Sequence, residues 1–290
     1  MATIKPFKAL RPPVEFSARV ASRPYDVMNA GEARAEAEGN PYSFLHITRS
    51  EIDLPLDTDL HSKAVYDKAG ENLAAFRQKK YLYEDKEPCY YIYQLVMGPQ
   101  NQTGLVCVSS VSDYDNGIIK KHELTRPEKE LDRINHIKST RAQTGNVFLT
   151  YRTNERLNKE IEDWKASHQP VYDFIASDGI IHRVWVVNDN ETIDRITRNF
   201  AEHVPATYIA DGHHRAASAA KVRHEQEPLS TEADYFLTTL FPADQLRIMD
   251  YNRLARDLNS MTTNEFIHGL EKNFMVGRME SAFSPKQLHE

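Results

Sequence analysis

The sequence predicts an α/β fold with mixed α+β sheets, and three stretches carry that expectation. The first is Tyr208-Ile209-Ala210-Asp211-Gly212-His213-His214-Arg215. Ala206 to Ala210 is a short apolar run that reads as a buried strand. Asp211-Gly212 is a turn pair, and Ala216 to Lys221 has strong helix-forming composition. The second is Val171 to Ser177 and Ile180 to Val187, a hairpin around a two-residue Asp178-Gly179 turn. His182 and Arg183 lie on it and face opposite ways. The third is Glu191 to His203, an amphipathic helix with Ile193, Ile196 and Phe200 inward.

Taken in order, residues 1–26 are broken by proline at Pro6, Pro12, Pro13 and Pro24, which predicts extended and turn-like chain. Phe7, Leu10, Val14, Phe16 and Tyr25 are too many apolar side chains for a disordered tail. Met28 to Gly39 is Ala/Glu-rich and reads as a helix. Tyr42 to Ile47 reads as a strand, with His46 and Arg49 as possible ligand contacts near its end. A loop over 52–60 precedes a long helix from His61 to Lys80, whose apolar face is Ala64, Tyr66, Ala69, Leu73 and Phe76. Tyr90 to Met97 and Leu105 to Val108 form a hairpin around a polar loop at 98–104.

Thr125-Arg126-Pro127-Glu128 has the pattern of a capping box and starts a helix through Leu131, Ile134 and Lys138. Lys120, Lys121, His122 and Glu123 then occupy the loop before that helix. A carboxylate beside an imidazole near a helix N-terminus suits proton transfer, and a solvated charged loop is the plainer alternative. Gly145 to Tyr151 is a strand and Glu155 to Ser167 a helix with Trp164 inward. Tyr235 to Phe241 and Leu246 to Tyr251 are strands, Asn264 to Phe274 a final helix, and Ser281 to Glu290 a polar end. The expected division is an N-terminal α/β part at 1–115 and a phosphate-binding part at 116–290.

The 290 residues carry a net charge of −6, a pI near 6.1 and a mean hydropathy of −0.60. Bulk charge therefore argues against a nucleic-acid partner, and no apolar run approaches a membrane span. The N-terminus lacks the apolar core of a signal peptide. Cys89 and Cys107 sit in strand-like runs without metal-ligand spacing, so both read as packing residues in a reduced, cytoplasmic protein. A homodimer is an open expectation.

The stretch at 211–215 concentrates chemistry. A strand, a tight turn and a helix place free backbone N–H groups and a positive helix end beside the turn. Gly212 permits close approach to the backbone, and Arg215 can fork onto phosphate or carboxylate. Asp211 can hold a metal or accept a proton, and His213 and His214 can donate, accept or ligate. The plain alternative is a helix cap with Asp211 as the capping residue. Arg23, Tyr25 and Asp26 form a second polar loop.

Pro24-Tyr25-Asp26-Val27, Asn40-Pro41 with His46, Lys120-Lys121-His122-Glu123 with Thr125, and Ala210 to Arg215 together resemble the bacterial and archaeal domain-of-unknown-function family 1015. Its members usually run beyond the length seen here. Residues 117–225 also resemble, more locally, the free serine kinases on the ParB/sulfiredoxin fold. That second resemblance implies a ParB-like half in which Asp211, Gly212, His213, His214 and Arg215 form the turn facing nucleotide phosphate. It implies Glu123 as base, with His122 beside it. In a phosphotransferase, Lys120, Lys121 or Arg126 is then expected to bind the carboxylate or phosphate of the substrate. Arg23, Tyr25 and Asp26 would complete the pocket. The implied activity is nucleotide-dependent phosphoryl transfer to or from serine, phosphoserine or a similar hydroxyl metabolite, with ATP or ADP and Mg²⁺. The alternatives are a metal-dependent phosphoserine phosphatase using Asp211, His213, His214, His122 and His182, and a non-catalytic nucleotide-binding module.

Overall fold

A computed structural model of the chain describes residues 1–225, 231–248 and 257–278. It falls into two units, Met1–Gln245 and Leu246–Glu290.

The first unit begins with β1 (Ile4–Lys5), β2 (Leu10–Arg11), the one-turn α1 (Ser17–Val20), α2 (Ala30–Ala37), α3 (Leu45–Thr48) and α4 (Lys63–Gln78). β3 (Tyr83–Glu84), β4 (Tyr90–Met97), β5 (Gln100–Ser110) and α5 (Val111–Asp115) follow. Then come β6 (Ile119–Lys120), α6 (Pro127–Thr140), β7 (Val147–Tyr151), α7 (Glu155–Ser167), β8 (Tyr172–Ile175), β9 (Ile181–Val187) and α8 (Asn190–His203). β10 (Thr207–Asp211), α9 (His213–Arg223) and β11 (Tyr235–Pro242) complete it. In the second unit α10 (Thr263–Glu271) starts at a capping box made by Thr262 and Glu265.

Nine strands form one mixed sheet in the order β6-β10-β7-β11-β5-β4-β9-β8, with β1 paired to β5. β1, β4 and β5 come from before residue 116 and the other six from after it, so the sheet spans the expected 115/116 boundary. Its core joins Tyr90, Ile92, Leu105 and Leu149 to Leu157 of α7, Phe200 of α8 and the alanines of α9. Ala216, Ala217, Ala219 and Ala220 are buried, and these short side chains let α9 lie between β7, β11 and α6. α6 in turn packs on α4, where a Cβ at Gly70 would stand 2.7 Å from the Ser139 carbonyl oxygen.

Several local expectations need correction. Tyr42 to Ile47 is no strand: α3 makes one helical turn there, with the Ser43 hydroxyl accepting the Leu45 N–H at 3.3 Å. Leu45 packs with Ala33 and Ile52, while Ile47 packs with Leu73 and Phe76. One turn of helix serves two small clusters that a strand would not reach together. The 98–104 loop is mostly strand, because β5 begins at Gln100 and pairs it with Met97. Gly104 belongs there since a Cβ would meet the Phe241 ring at 2.8 Å. The Asp178-Gly179 hairpin turn is longer than two residues: the Gly179 N–H donates to the Ala176 carbonyl, and Gly179 itself takes φ 82°. β10 is half-buried rather than buried, with Tyr208 and Ala210 exposed. No strand starts at 246–248, and Met249 to Tyr251 and the polar end from Ser281 lie outside the described residues.

Candidate functional site

Strand direction assembles the site. β6 and β10 are parallel neighbours, with Ile119 opposite Thr207 and Lys120 opposite Tyr208. The segments leaving their carboxyl ends therefore emerge on the same edge of the sheet, where open α/β sheets bind ligands. β7 runs antiparallel to β10, so its beginning, with Asn146 just before it, lies at that edge too.

β10 ends at Asp211, Gly212 turns the chain with φ 96°, and α9 begins at His213. No side chain caps this helix. The carboxylate of Asp211 instead accepts from Arg215 Nη2 at 2.6 Å, so the capping reading of Asp211 does not hold. Arg215, only 15 % exposed, also donates to the Asn146 carbonyl and stands 3.7 Å from Asp26.

The His-Glu loop meets the start of α9, 91 residues away in sequence. The His122 N–H donates to His213 Nε2 at 3.4 Å, and the two rings stand edge-to-face, 4.4 Å between centroids. The Arg126 N–H donates to His214 Nε2 at 3.1 Å. Each Nε2 is thus an acceptor, which places the proton of a neutral imidazole on Nδ1. His213 Nδ1 lies 3.5 Å from a carboxylate oxygen of Glu123. His213 is 4 % exposed and Glu123 59 %. Burial, followed by the neighbouring His122, lowers the His213 pKa, which favours the neutral ring these contacts require. His213 thus holds and orients, while the Glu123 carboxylate is open to a ligand.

The expected Thr125–Glu128 capping box is absent: Arg126 is the N-cap residue of α6 and no side chain caps it. The Thr125 hydroxyl bonds Glu130 instead. Glu130, two residues beyond Glu128 and so on the other side of the helix, faces α9 and takes the hydroxyl.

A cleft of 410 Å³ opens beside this junction. Its wall takes Tyr25 and Asp26 from the N-terminal segment, Arg49, Ser50 and Glu51 from the turn after α3, and His61 and Tyr66 from around the start of α4. Glu128, Lys129, Asp132, Arg133 and His136 of α6 and His214 of α9 close it. The Arg133 guanidinium lies 4.0 Å over the Tyr25 ring, and Arg49 donates to the Tyr25 carbonyl at 3.1 Å, so two arginines clamp the Tyr25 turn. Asp132 accepts from Tyr66 at 2.9 Å and from Arg133 at 2.6 Å. Burial, followed by the bond to Asp132, pushes the Tyr66 phenol up to about 12.

Of the residues singled out from sequence, Tyr25, Asp26 and His214 line this cleft, while Asp211, Gly212, His213, Arg215, His122, Glu123 and Arg126 meet at the junction beside it. Lys120 is exposed on β6, and Lys121 places its ammonium 4.0 Å over the Tyr114 ring. Arg23 turns to Glu36 of α2 at 2.5 Å and does not line the cleft. His182 is distant in another sense: it stacks between Tyr93 and Phe174 on the β4–β9–β8 part of the sheet. Arg133, Asp132, Tyr66 and Glu130 were not anticipated. Only their helical spacing from Pro127 and from the start of α4 could have pointed to them.

A mixed α/β sheet with a polar cleft at the ends of parallel strands is the class the geometry defines. A family model described as "Protein of unknown function (DUF1015)" matches residues 4–290, and the chain belongs to that family. No curated protein and no solved structure matches it. No helix among the described residues is long and apolar enough to cross a membrane.

Proposed function

We propose that this protein is a small-molecule phosphotransferase that moves the terminal phosphoryl group of ATP or ADP to the hydroxyl of serine or a similar metabolite, or the reverse. The observation that carries the reading is the meeting of Glu123 with His213 at 3.5 Å, beside an uncapped helix start. Phosphoryl transfer asks mainly for positioning and charge neutralisation. The first-turn N–H groups of α9 and the helix dipole supply donors for phosphate oxygens. His214 lines the cleft, and its Nδ1–H is the one ring donor left to it. In the transfer, the acceptor oxygen bonds to the terminal phosphorus as the bond to the leaving phosphate oxygen breaks. Glu123 takes the hydroxyl proton. His213 keeps the carboxylate oriented.

Mg²⁺ would be held by the carboxylates beside the turn. Asp211 and Asp26 are exposed carboxylates, both within 4 Å of Arg215 Nη2, at 2.6 and 3.7 Å. The ion would neutralise charge on the transferring group. The ParB-like resemblance of residues 117–225 belongs to the same proposal. Of the residues the phosphatase alternative would use, His182 stacks against Tyr93 and Phe174 on the β4–β9–β8 part of the sheet and does not join the turn.

The test is turnover of serine with terminally labelled ATP or ADP, for wild type and Glu123→Gln. Glu123→Gln is expected to lose on the order of 100-fold or more in kcat while still binding nucleotide. Equal turnover by both proteins would remove Glu123 as the base.

A further inference from the structure

Glu123 is 59 % exposed, and among the described residues its one side-chain contact is with His213, at 3.5 Å. A group so exposed does not hold one orientation unaided, because fixing a free side chain and its loop carries an entropic cost. His213 orients the carboxylate, and the backbone of residues 121–126 must bring it within reach of that ring. That backbone is short and without regular structure, yet it is bound at both ends. β6 pairs with β10 before it, and the Arg126 N–H reaches His214 after it.

Between these ends lies Thr125, whose hydroxyl donates to Glu130. Glu130 is 5 % exposed, an unusual place for a carboxylate. Lys221 of α9 donates to the same carboxylate, and Ser218 of α9 donates to the Glu130 carbonyl at 3.1 Å. α9 therefore grips Glu130 by side chain and backbone together. Burial alone would raise the Glu130 carboxyl pKa; the bonds from Lys221 and Thr125 outweigh it and hold the group below its ordinary value. The loop, α6 and α9 are closed into a ring of contacts, with Glu123 and His213 at its open side.

We infer that Thr125, Glu130 and Lys221 are positioning residues that seat the 121–126 loop, and with it the Glu123 carboxylate, on the first turn of α9. None of the three lines the cleft. They act through the loop backbone. That they serve catalysis rests on the phosphotransferase reading; that they seat the loop does not.

Thr125→Val removes the hydroxyl and keeps the shape, Thr125→Ser restores the hydroxyl, and Lys221→Met breaks the ring from the other side. Amide hydrogen exchange is read at Arg126 and His122, and at Ile134, Ile137 and Ala219 inside the two helices. Thr125→Val and Lys221→Met are expected to speed exchange at Arg126 by about tenfold or more with the helix-interior amides unchanged, and Thr125→Ser to return it to the wild-type rate. Unchanged exchange at Arg126 in both variants, or loss of protection spread evenly through α6 and α9, would overturn the inference. In the turnover assay Thr125→Val is expected to lower kcat about tenfold with nucleotide affinity held within about twofold. A wild type without turnover would defeat the phosphotransferase reading, and the exchange data would still decide the seating.

Discussion

Gly212→Ala is the perturbation whose effect can be worked most directly from the geometry. Gly212 has φ 96°, in the left-handed region where an L side chain is strained, and that costs about 1 kcal/mol. A Cβ there would also stand 3.1 Å from both Cζ and Nε of Arg215. The guanidinium cannot swing away freely, because it is bound to Asn146 and Asp211 and is 15 % exposed. Forcing it aside adds about 1 kcal/mol, the low end for overpacking. The sum, about 2 kcal/mol, corresponds to a Tm lower by roughly 4–8 °C for a unit of this size. Gly179→Ala is the control: φ is 82° and nothing lies within 4 Å of its Cβ, so only the backbone cost applies, roughly 2–4 °C. Thermal unfolding of both variants measures the difference. If Gly212→Ala is no less stable than Gly179→Ala, Arg215 is not fixed against the turn, and the packing described there is wrong.

Three further predictions concern stability. Burial holds the His136 pKa near 4 against an ordinary value of 6.5, so the unfolded chain takes up the proton first as pH falls. Stability from this group is complete above about 6.5 and declines by on the order of 3 kcal/mol towards pH 4. Urea unfolding at pH 7 and 4.5 should show the decline, and His136→Asn should flatten it. His46 works oppositely: its bond to Asp53 raises its pKa, so its contribution is full below about 6.5 and fades as pH rises through the higher folded value. Arg11→Met would leave the Asp85 carboxylate, 11 % exposed, without its cation at 2.7 Å. That should cost about 3 kcal/mol and lower Tm by roughly 6–12 °C; a shift under about 2 °C would mean water replaces the guanidinium.

The fold was legible wherever local chemistry and packing agree. The strand, turn and helix at 206–221, the helix at 155–167 and the hairpin at 171–187 all have period, length and turn residues of one kind. Tyr42 to Ile47 misled because its alternation of apolar residues feeds two clusters, a tertiary fact invisible along the chain. The site was legible in its composition and not in its roles. Histidines after an Asp-Gly turn suggest ligand contacts; in the folded chain both rings turn an acceptor nitrogen to the loop at 122–126. The parallel pairing of two short strands made that juxtaposition, and nothing in the spacing of His122 and His213 could announce it. Thr125 suggested a cap to Glu128, but a buried partner at Glu130 outcompetes an exposed one.

The most direct test of the account is isothermal titration of ATP, ADP and AMP with Mg²⁺ into wild type and into folded Gly212→Ala. Wild type is expected to bind at least one of the three, and Gly212→Ala to weaken it by at least about tenfold because a Cβ obstructs approach to the α9 N–H groups. A folded wild type that takes up none of them would contradict a phosphate-binding role for the turn at 211–215.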